Sequence, residues 1–233
     1  MADEPTVVVI GGTSGLGMDL AQRYAGMGRS VVISGRDADR TAAIAREMGA
    51  SVSAVALDLA EPATIAPALQ GVGAVDRLAL AALERDQNSV EAYDIGSALR
   101  LATLKLVGYT EVVHALVPRL TEDASIVVYG GLAKLRPYAG STTVTTVNAA
   151  VDGLVRTLAA ELSPIRVNAL HPGIVGDSPF WSPKTEALEA VKARTPTGRL
   201  VQMREVTDAA VFLWENPSMN GTELRVDGGW SLP

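Results

Sequence analysis

Short apolar runs alternate with longer, mixed-face segments along the whole chain. The run "TVVVI" (6–10) is too short for a helix and rich in β-branched residues, so it reads as a buried strand. "GLGMDLAQRYAGMG" follows as a helix closed by Gly28. "SVVIS" (30–34) reads as a second strand, 37–49 as a second helix and 51–57 as a third strand. A helix over 61–71 carries Pro62 near its start. "DRLALAA" (76–82) reads as a fourth strand, and a long, mostly helical region runs from Val90 to Leu120. A fifth strand (124–129) precedes a helix from Thr142 to Leu162, which Ser163-Pro164 ends. A sixth strand covers 165–171 and the last 222–229. Such alternation predicts an α/β fold: a parallel sheet with right-handed crossovers and helices on both faces. No linker or repeat interrupts it, so one domain spanning 1–233 is expected. The segment 176–198, rich in Ser, Pro and Thr, follows the sixth strand at the sheet edge where such folds bind ligands. It reads as a lid over a substrate.

The turn after the first strand carries the clearest chemistry. "VIGGTSGLG" (9–17) sets Gly11, Gly15 and Gly17 in the spacing G-x-x-x-G-x-G, with Thr13, Ser14 and Leu16 between them. Glycines let the backbone turn sharply and approach a pyrophosphate closely. The helix that follows offers free N–H groups and the positive end of its dipole. A plain tight turn would leave the triplet unexplained; strand before and helix after make a dinucleotide site the better reading.

The second strand ends in Gly35-Arg36-Asp37. A carboxylate there would read the hydroxyls of the NAD ribose, whereas a cation suits the 2′-phosphate of NADP. The planar fork of Arg36 matches a phosphate, and Asp37 is expected to cap the next helix. The cofactor predicted is therefore NADP(H). Asp58, at the end of the third strand, can accept from the adenine amino group with Leu59 covering the ring, or can simply close the turn.

Charge and composition narrow the partners. The net charge of −6 and pI near 5.0 argue against nucleic acid. Without cysteine, and with two histidines, the chain has no thiolate nucleophile, disulfide or His-rich metal site. The start "MADEPTVVVIGG" is acidic and runs into a strand, unlike a signal peptide. No apolar run reaches the ~20 residues that span a bilayer. A cytoplasmic protein with no membrane partner is expected.

The cradle, Asp58-Leu59, "NALHPG" (168–173) and "VDGG" (226–229) together resemble the short-chain dehydrogenase/reductase family, from Thr6 to Trp230. The resemblance implies a Rossmann-like fold with a seven-stranded parallel sheet. It also implies a nicotinamide cofactor, hydride transfer to or from a small-molecule substrate, and a homodimer or homotetramer. Ala81, in the strand-four motif, and Val175, after the Pro-Gly segment, would touch the cofactor through their backbones. The family's catalytic places are all changed. Its Ser falls on Gly131, its Tyr on Val144, its Lys on Asn148 and its helical Asn on Lys105.

The last two changes look reciprocal, and Lys105 with Asn148 is expected to form a rebuilt cofactor or relay pair. The bland alternative makes Lys105 a surface lysine snorkelling to water. Tyr138 is expected at the cleft rim, and Thr142, Thr143 and Thr145 to cap the helix start. Phe180 and Trp181 either wall a substrate pocket or pack inside the lid. His171 is expected to pack at its strand end and His114 to lie at a surface. The function implied is an NADP(H)-binding oxidoreductase of a carbonyl, enone or imine-type substrate. The alternative is a catalytically silent sensor or scaffold. A lyase or dehalogenase on this fold is discounted, because such relatives keep Ser and Tyr and lose the glycine cradle.

Overall fold

The computed structural model describes residues 4–233. Seven strands form one parallel sheet in the order β3-β2-β1-β4-β5-β6-β7. They are β1 Thr6–Ile10, β2 Val31–Gly35, β3 Val52–Ala56, β4 Val75–Leu80, β5 Leu120–Tyr129, β6 Arg166–Pro172 and β7 Glu223–Val226. The order reverses between β1 and β4, which opens a crevice at their carboxyl ends.

Both faces of the sheet are covered, which is why the strands read as unbroken apolar runs. One face buries Val8, Ile10, Leu78, Leu80, Ile126 and Val128 against α5 (Tyr109–Leu116) and α6 (Thr142–Glu161), with α4 (Ile95–Ala102) packed beside α6. The other buries Val7, Val9, Ile33 and Val127 against α1 (Gly15–Gly26), α2 (Ala38–Met48) and α8 (Met203–Glu215). Between α4 and α5 the helix opens into a π-helical turn, Thr103–Gly108.

Several boundaries differ from the sequence pattern. The helix expected over 61–71 is a 3-10 turn, Pro62–Thr64, leading into a single turn, α3 (Ile65–Ala68). The long helical region begins at Ile95, because buried Asn88 organises the preceding loop: its side chain bonds Asp86, the Asp94 backbone and Thr143. The insert holds its own helix, α7 (Thr185–Arg194). The pattern above left α8 unassigned. Its Val206, Ala210, Leu213 and Trp214 recur at helical spacing and are fully buried, and Gln202 and Glu205 form a capping box at its start. Among the described residues, no helix is long and apolar enough to cross a membrane.

Candidate active site

The glycine cradle sits in the crevice between β1 and β4. Ala81 N–H donates to the Ile10 carbonyl at 2.9 Å and ties the two strand ends together. A Cβ on Gly11 would lie 2.6 Å from the Ala82 backbone, and Gly11 has φ +85°. A Cβ on Gly17 would collide with the Gly11 carbonyl oxygen. Gly15 adopts φ +54° and faces open space, its nearest neighbour being Pro179 of the insert at 4.0 Å. Ser14 occupies the N-cap of α1 without a side-chain cap, and the first turn holds no acidic residue. The orphan N–H groups of that turn therefore point toward the crevice with no internal anion. This arrangement fits a dinucleotide pyrophosphate.

Beside the cradle, Thr13 packs against Gly35, where an added Cβ would lie 2.7 Å from Thr13 Cγ2. Arg36 follows directly, and its guanidinium pairs with Glu84 in the loop after β4. Asp37 caps α2 as expected, accepting from the Arg40 N–H at 2.9 Å. Asp58 accepts from the Ala60 N–H at 2.9 Å, and Arg100 of α4 bonds it at 2.8 Å. Those bonds hold the Asp58 carboxyl below the usual range. Asp58 thus closes its turn. Leu59 departs from its expected role: it is buried in the core, with its carbonyl against Gly108 of the π-helical turn.

Around the end of β5 stand the residues at the changed places. Lys105, on the π-helical turn, is 2% exposed, which excludes a snorkelling surface lysine. Its Nζ donates to the Tyr129 carbonyl at 2.6 Å and lies 5.2 Å from the centre of the Tyr109 ring. Burial lowers its pKa from 10.5 to about 8. Asn148 is also buried, and its amide stands where a side chain on Gly131 would go: an added Cβ would be 2.9 Å from Nδ2. No hydrogen bond joins Lys105 to Asn148 among the described residues; Lys105 is held by the Tyr129 carbonyl, and Asn148 lies against Gly131.

The nearby hydroxyls take other work. Thr145 bonds Ser141 at 2.9 Å and Thr143 meets Asn88, so neither caps α6; the Thr142 N–H goes instead to the Asn88 carbonyl at 3.0 Å. Tyr129 is buried with an unpartnered hydroxyl, and Tyr138 is exposed at the rim.

The insert folds over the crevice. Phe180 packs edge-on against Trp181 at 5.2 Å, and its ring lies between Arg85 at 3.2 Å and Lys184 at 3.4 Å. Asp177 bonds the Met203 N–H at 2.8 Å and so anchors the insert to α8. The Val175 carbonyl accepts from the Ser178 hydroxyl at 2.8 Å.

A family described as enoyl-(acyl carrier protein) reductase matches residues 11–231. Human 3-oxoacyl-[acyl-carrier-protein] reductase is 30% identical over 96% of this chain and 97% of its own length. Trans-4-hydroxycyclohexanecarboxylate dehydrogenase of Sinomonas cyclohexanicum is 29% identical over 97% and 92%. A solved short chain dehydrogenase/reductase family protein superposes with a TM-score of 0.87, at 30% identity and 98% coverage of both chains. The chain belongs to the short-chain dehydrogenase/reductase family. Members of this family are oxidoreductases that use nicotinamide cofactors and act on small molecules.

As a short-chain dehydrogenase/reductase, the protein carries a second cluster that sequence spacing did not reveal. Lys134 Nζ pairs with Asp152 and bonds Glu223 at 3.0 Å and His171 Nε2 at 3.1 Å. Asp152, His171 and Glu223 have a geometry that could hold a metal ion. The Lys134 ammonium already stands among them as the cation. His171 is fully buried at its strand end, and burial, then the Lys134 charge, lowers its pKa to about 3. An added Cβ on Gly130 would collide with the His171 ring. His114 is exposed on α5, as expected of a surface residue.

Proposed function

We propose that this protein is an NADP(H)-dependent oxidoreductase that moves hydride to or from a small carbonyl, enone or imine-type substrate. The uncapped N-terminus of α1, packed tightly within the turn and against the end of β4 at Gly17 and Gly11 and left open at Gly15, carries this reading. Arg36 stands beside it through the Thr13–Gly35 contact and favours a 2′-phosphate. When bound, the nicotinamide supplies the hydride. Gly11, Thr13, Ser14, Gly15, Leu16 and Gly17 hold the pyrophosphate, with the backbones of Ala81 and Val175 toward the nicotinamide half. Lys105 holds a proton at Nζ beside the end of β5, and with a pKa of about 8 it is protonated at neutral pH yet able to release it. Asn148 fills the space left by Gly131 and keeps the floor rigid. The insert, 176–198, excludes water as a lid.

Exposed apolar residues Ile95, Leu99 and Val107 on the α4–α5 face support a homodimer or homotetramer, which sedimentation measures. A second reading, a silent cofactor-binding sensor or scaffold, is favoured by Gly131 and Val144, which offer no proton where the family places its Ser and Tyr.

Titration with NADPH and with NADH, followed by nicotinamide fluorescence, tests the cofactor. NADPH is expected to bind more tightly, and the preference to vanish in Arg36→Ala. Transfer of deuterium from 4-deuterated NADPH to a panel of cyclic ketones, enones and iminium ions then separates the enzyme from the sensor. Binding without transfer to any of them favours the sensor; absence of binding removes both readings.

A further inference from the structure

Two arginines that are distant in sequence converge on one carboxylate at the adenosine end of the crevice. Arg36, directly after β2, pairs through Nη1 with Glu84 Oε1. Arg100, on α4, donates from Nε to Glu84 Oε2 at 2.7 Å and from Nη2 to Oε1 at 2.8 Å. Arg100 is held from its other side by Asp58 at 2.8 and 3.1 Å. The result is a chain of alternating charge, Arg36–Glu84–Arg100–Asp58, that crosses the carboxyl ends of β2, β3 and β4. Two guanidiniums that share one carboxylate stand within the width of a single small anion. Their donors already point at a common centre.

We propose that Arg36 and Arg100 are the two arms of one phosphate site, that it takes the 2′-phosphate of NADP(H), and that Glu84 is its internal occupant. The inference rests on the NADP(H) reading above and adds to it a second arm and a competitor. A phosphate dianion brings more acceptor oxygens and more charge than a carboxylate, so it displaces Glu84 from both guanidiniums. The Glu84 side chain is 20% exposed and turns out to water when displaced. Asp58 keeps Arg100 in place during the exchange, a role that needs no contact with adenine. A ribose without the phosphate has no charge with which to displace Glu84, so the bridge from Arg36 to Glu84 stays closed. Glu84 thereby competes with the 2′-phosphate itself: it lowers the affinity for the phosphorylated dinucleotide and leaves that for the unphosphorylated one nearly unchanged.

The probes are 2′,5′-ADP and 5′-AMP, which lack nicotinamide and report on this subsite alone by calorimetry. Glu84→Gln is expected to bind 2′,5′-ADP roughly tenfold more tightly, with the ratio of 2′,5′-ADP to 5′-AMP affinity raised. Arg100→Ala is expected to weaken 2′,5′-ADP about as much as Arg36→Ala does, and to flatten the salt dependence of binding. The proposal is overturned if Glu84→Gln tightens both nucleotides equally or neither, or if Arg100→Ala leaves 2′,5′-ADP unchanged while Arg36→Ala weakens it. The last pattern leaves the NADP(H) reading standing and removes only the second arm. If neither the wild-type protein nor any variant separates 2′,5′-ADP from 5′-AMP, the NADP(H) reading itself has failed. Should Glu84→Gln not fold, a crystal of the wild-type protein with 2′,5′-ADP decides: phosphate between Arg36 and Arg100 with Glu84 turned out supports the proposal, and phosphate on Arg36 alone overturns it.

Discussion

Replacing Lys105 with Met should make the protein more stable at neutral pH, although it removes a side chain that is 2% exposed. Met follows Lys as far as Cε and carries no charge, so most of the side-chain volume is kept and the ammonium lost. Burial has lowered the Lys105 pKa from 10.5 to about 8. At about 1.4 kcal/mol per pH unit, holding the charged form inside costs roughly 3 kcal/mol at neutral pH. The variant also loses the 2.6 Å hydrogen bond to the Tyr129 carbonyl, worth about 1 to 2 kcal/mol. The net expectation is a gain of about 1 to 2 kcal/mol near pH 7.

The sign with pH follows from the depressed value. Between about 8 and 10.5 the unfolded chain binds the Lys105 proton and the folded chain releases it. Wild-type stability therefore rises with pH through that window relative to the variant. By about pH 9.5 the cost of burial has fallen to roughly 1.4 kcal/mol, and the advantage of Met is gone. Urea unfolding of both proteins by tryptophan fluorescence, from about pH 6.5 to 10, gives the difference with other titrating groups cancelled. A flat difference, or a variant that is less stable at neutral pH, would refute the reasoning by showing that the ammonium is fully compensated where it lies.

Three further outcomes are expected. Gly17→Ala, whose Cβ would meet the Gly11 carbonyl, should abolish dinucleotide binding in a fluorescence titration and lower the melting temperature. Gly131→Ser, which restores the family's residue, should destabilise by about 1 to 3 kcal/mol, since its Cβ would crowd Asn148 Nδ2. Much of that loss should return in Gly131→Ser with Asn148→Ala, a non-additivity that denaturant melts of the double-mutant cycle read directly. Lys134→Met, which leaves Asp152 and Glu223 without their shared cation, should cost about 3 kcal/mol at neutral pH. That cost should shrink toward pH 5 as the carboxylates take up protons, which thermal melts across pH will show.

What could be read from sequence was local, and what could not was made by tertiary contact. The valine-rich strands and the cradle announce themselves within nine or fewer residues, and the Asp37 cap within four. Arg36 was visible as a strand-end cation, but its partners were not: Glu84 lies 48 positions away, and Arg100 lies another 16 beyond Glu84. Leu59 follows Asp58 as a ring-covering residue would, yet Gly108 comes so close to its carbonyl that it joins the core. The threonines at the start of α6 lost their capping role to the Asn88 carbonyl, supplied by another loop. Lys134, Asp152, His171 and Glu223 come from four separate elements or their edges, and no spacing rule unites them. The helix α8 had a legible period; its position beyond the irregular insert hid it.

The π-helical turn at Thr103–Gly108 gives the helix one residue more per turn than a regular α-helix would hold there. The angular phase of everything after it depends on that surplus residue. Wound as regular α-helix with none deleted, the same residues would rotate α5 against α4 by about 100°. Lys105 would then leave the Tyr129 carbonyl, or Val112, Val113 and Leu116 would leave the core. Deleting one residue of the turn, by contrast, would leave a regular helix with α4 and α5 still in phase, so the surplus residue serves the turn that carries Lys105. The inward lysine and the buried face of α5 are locked to a common helical register.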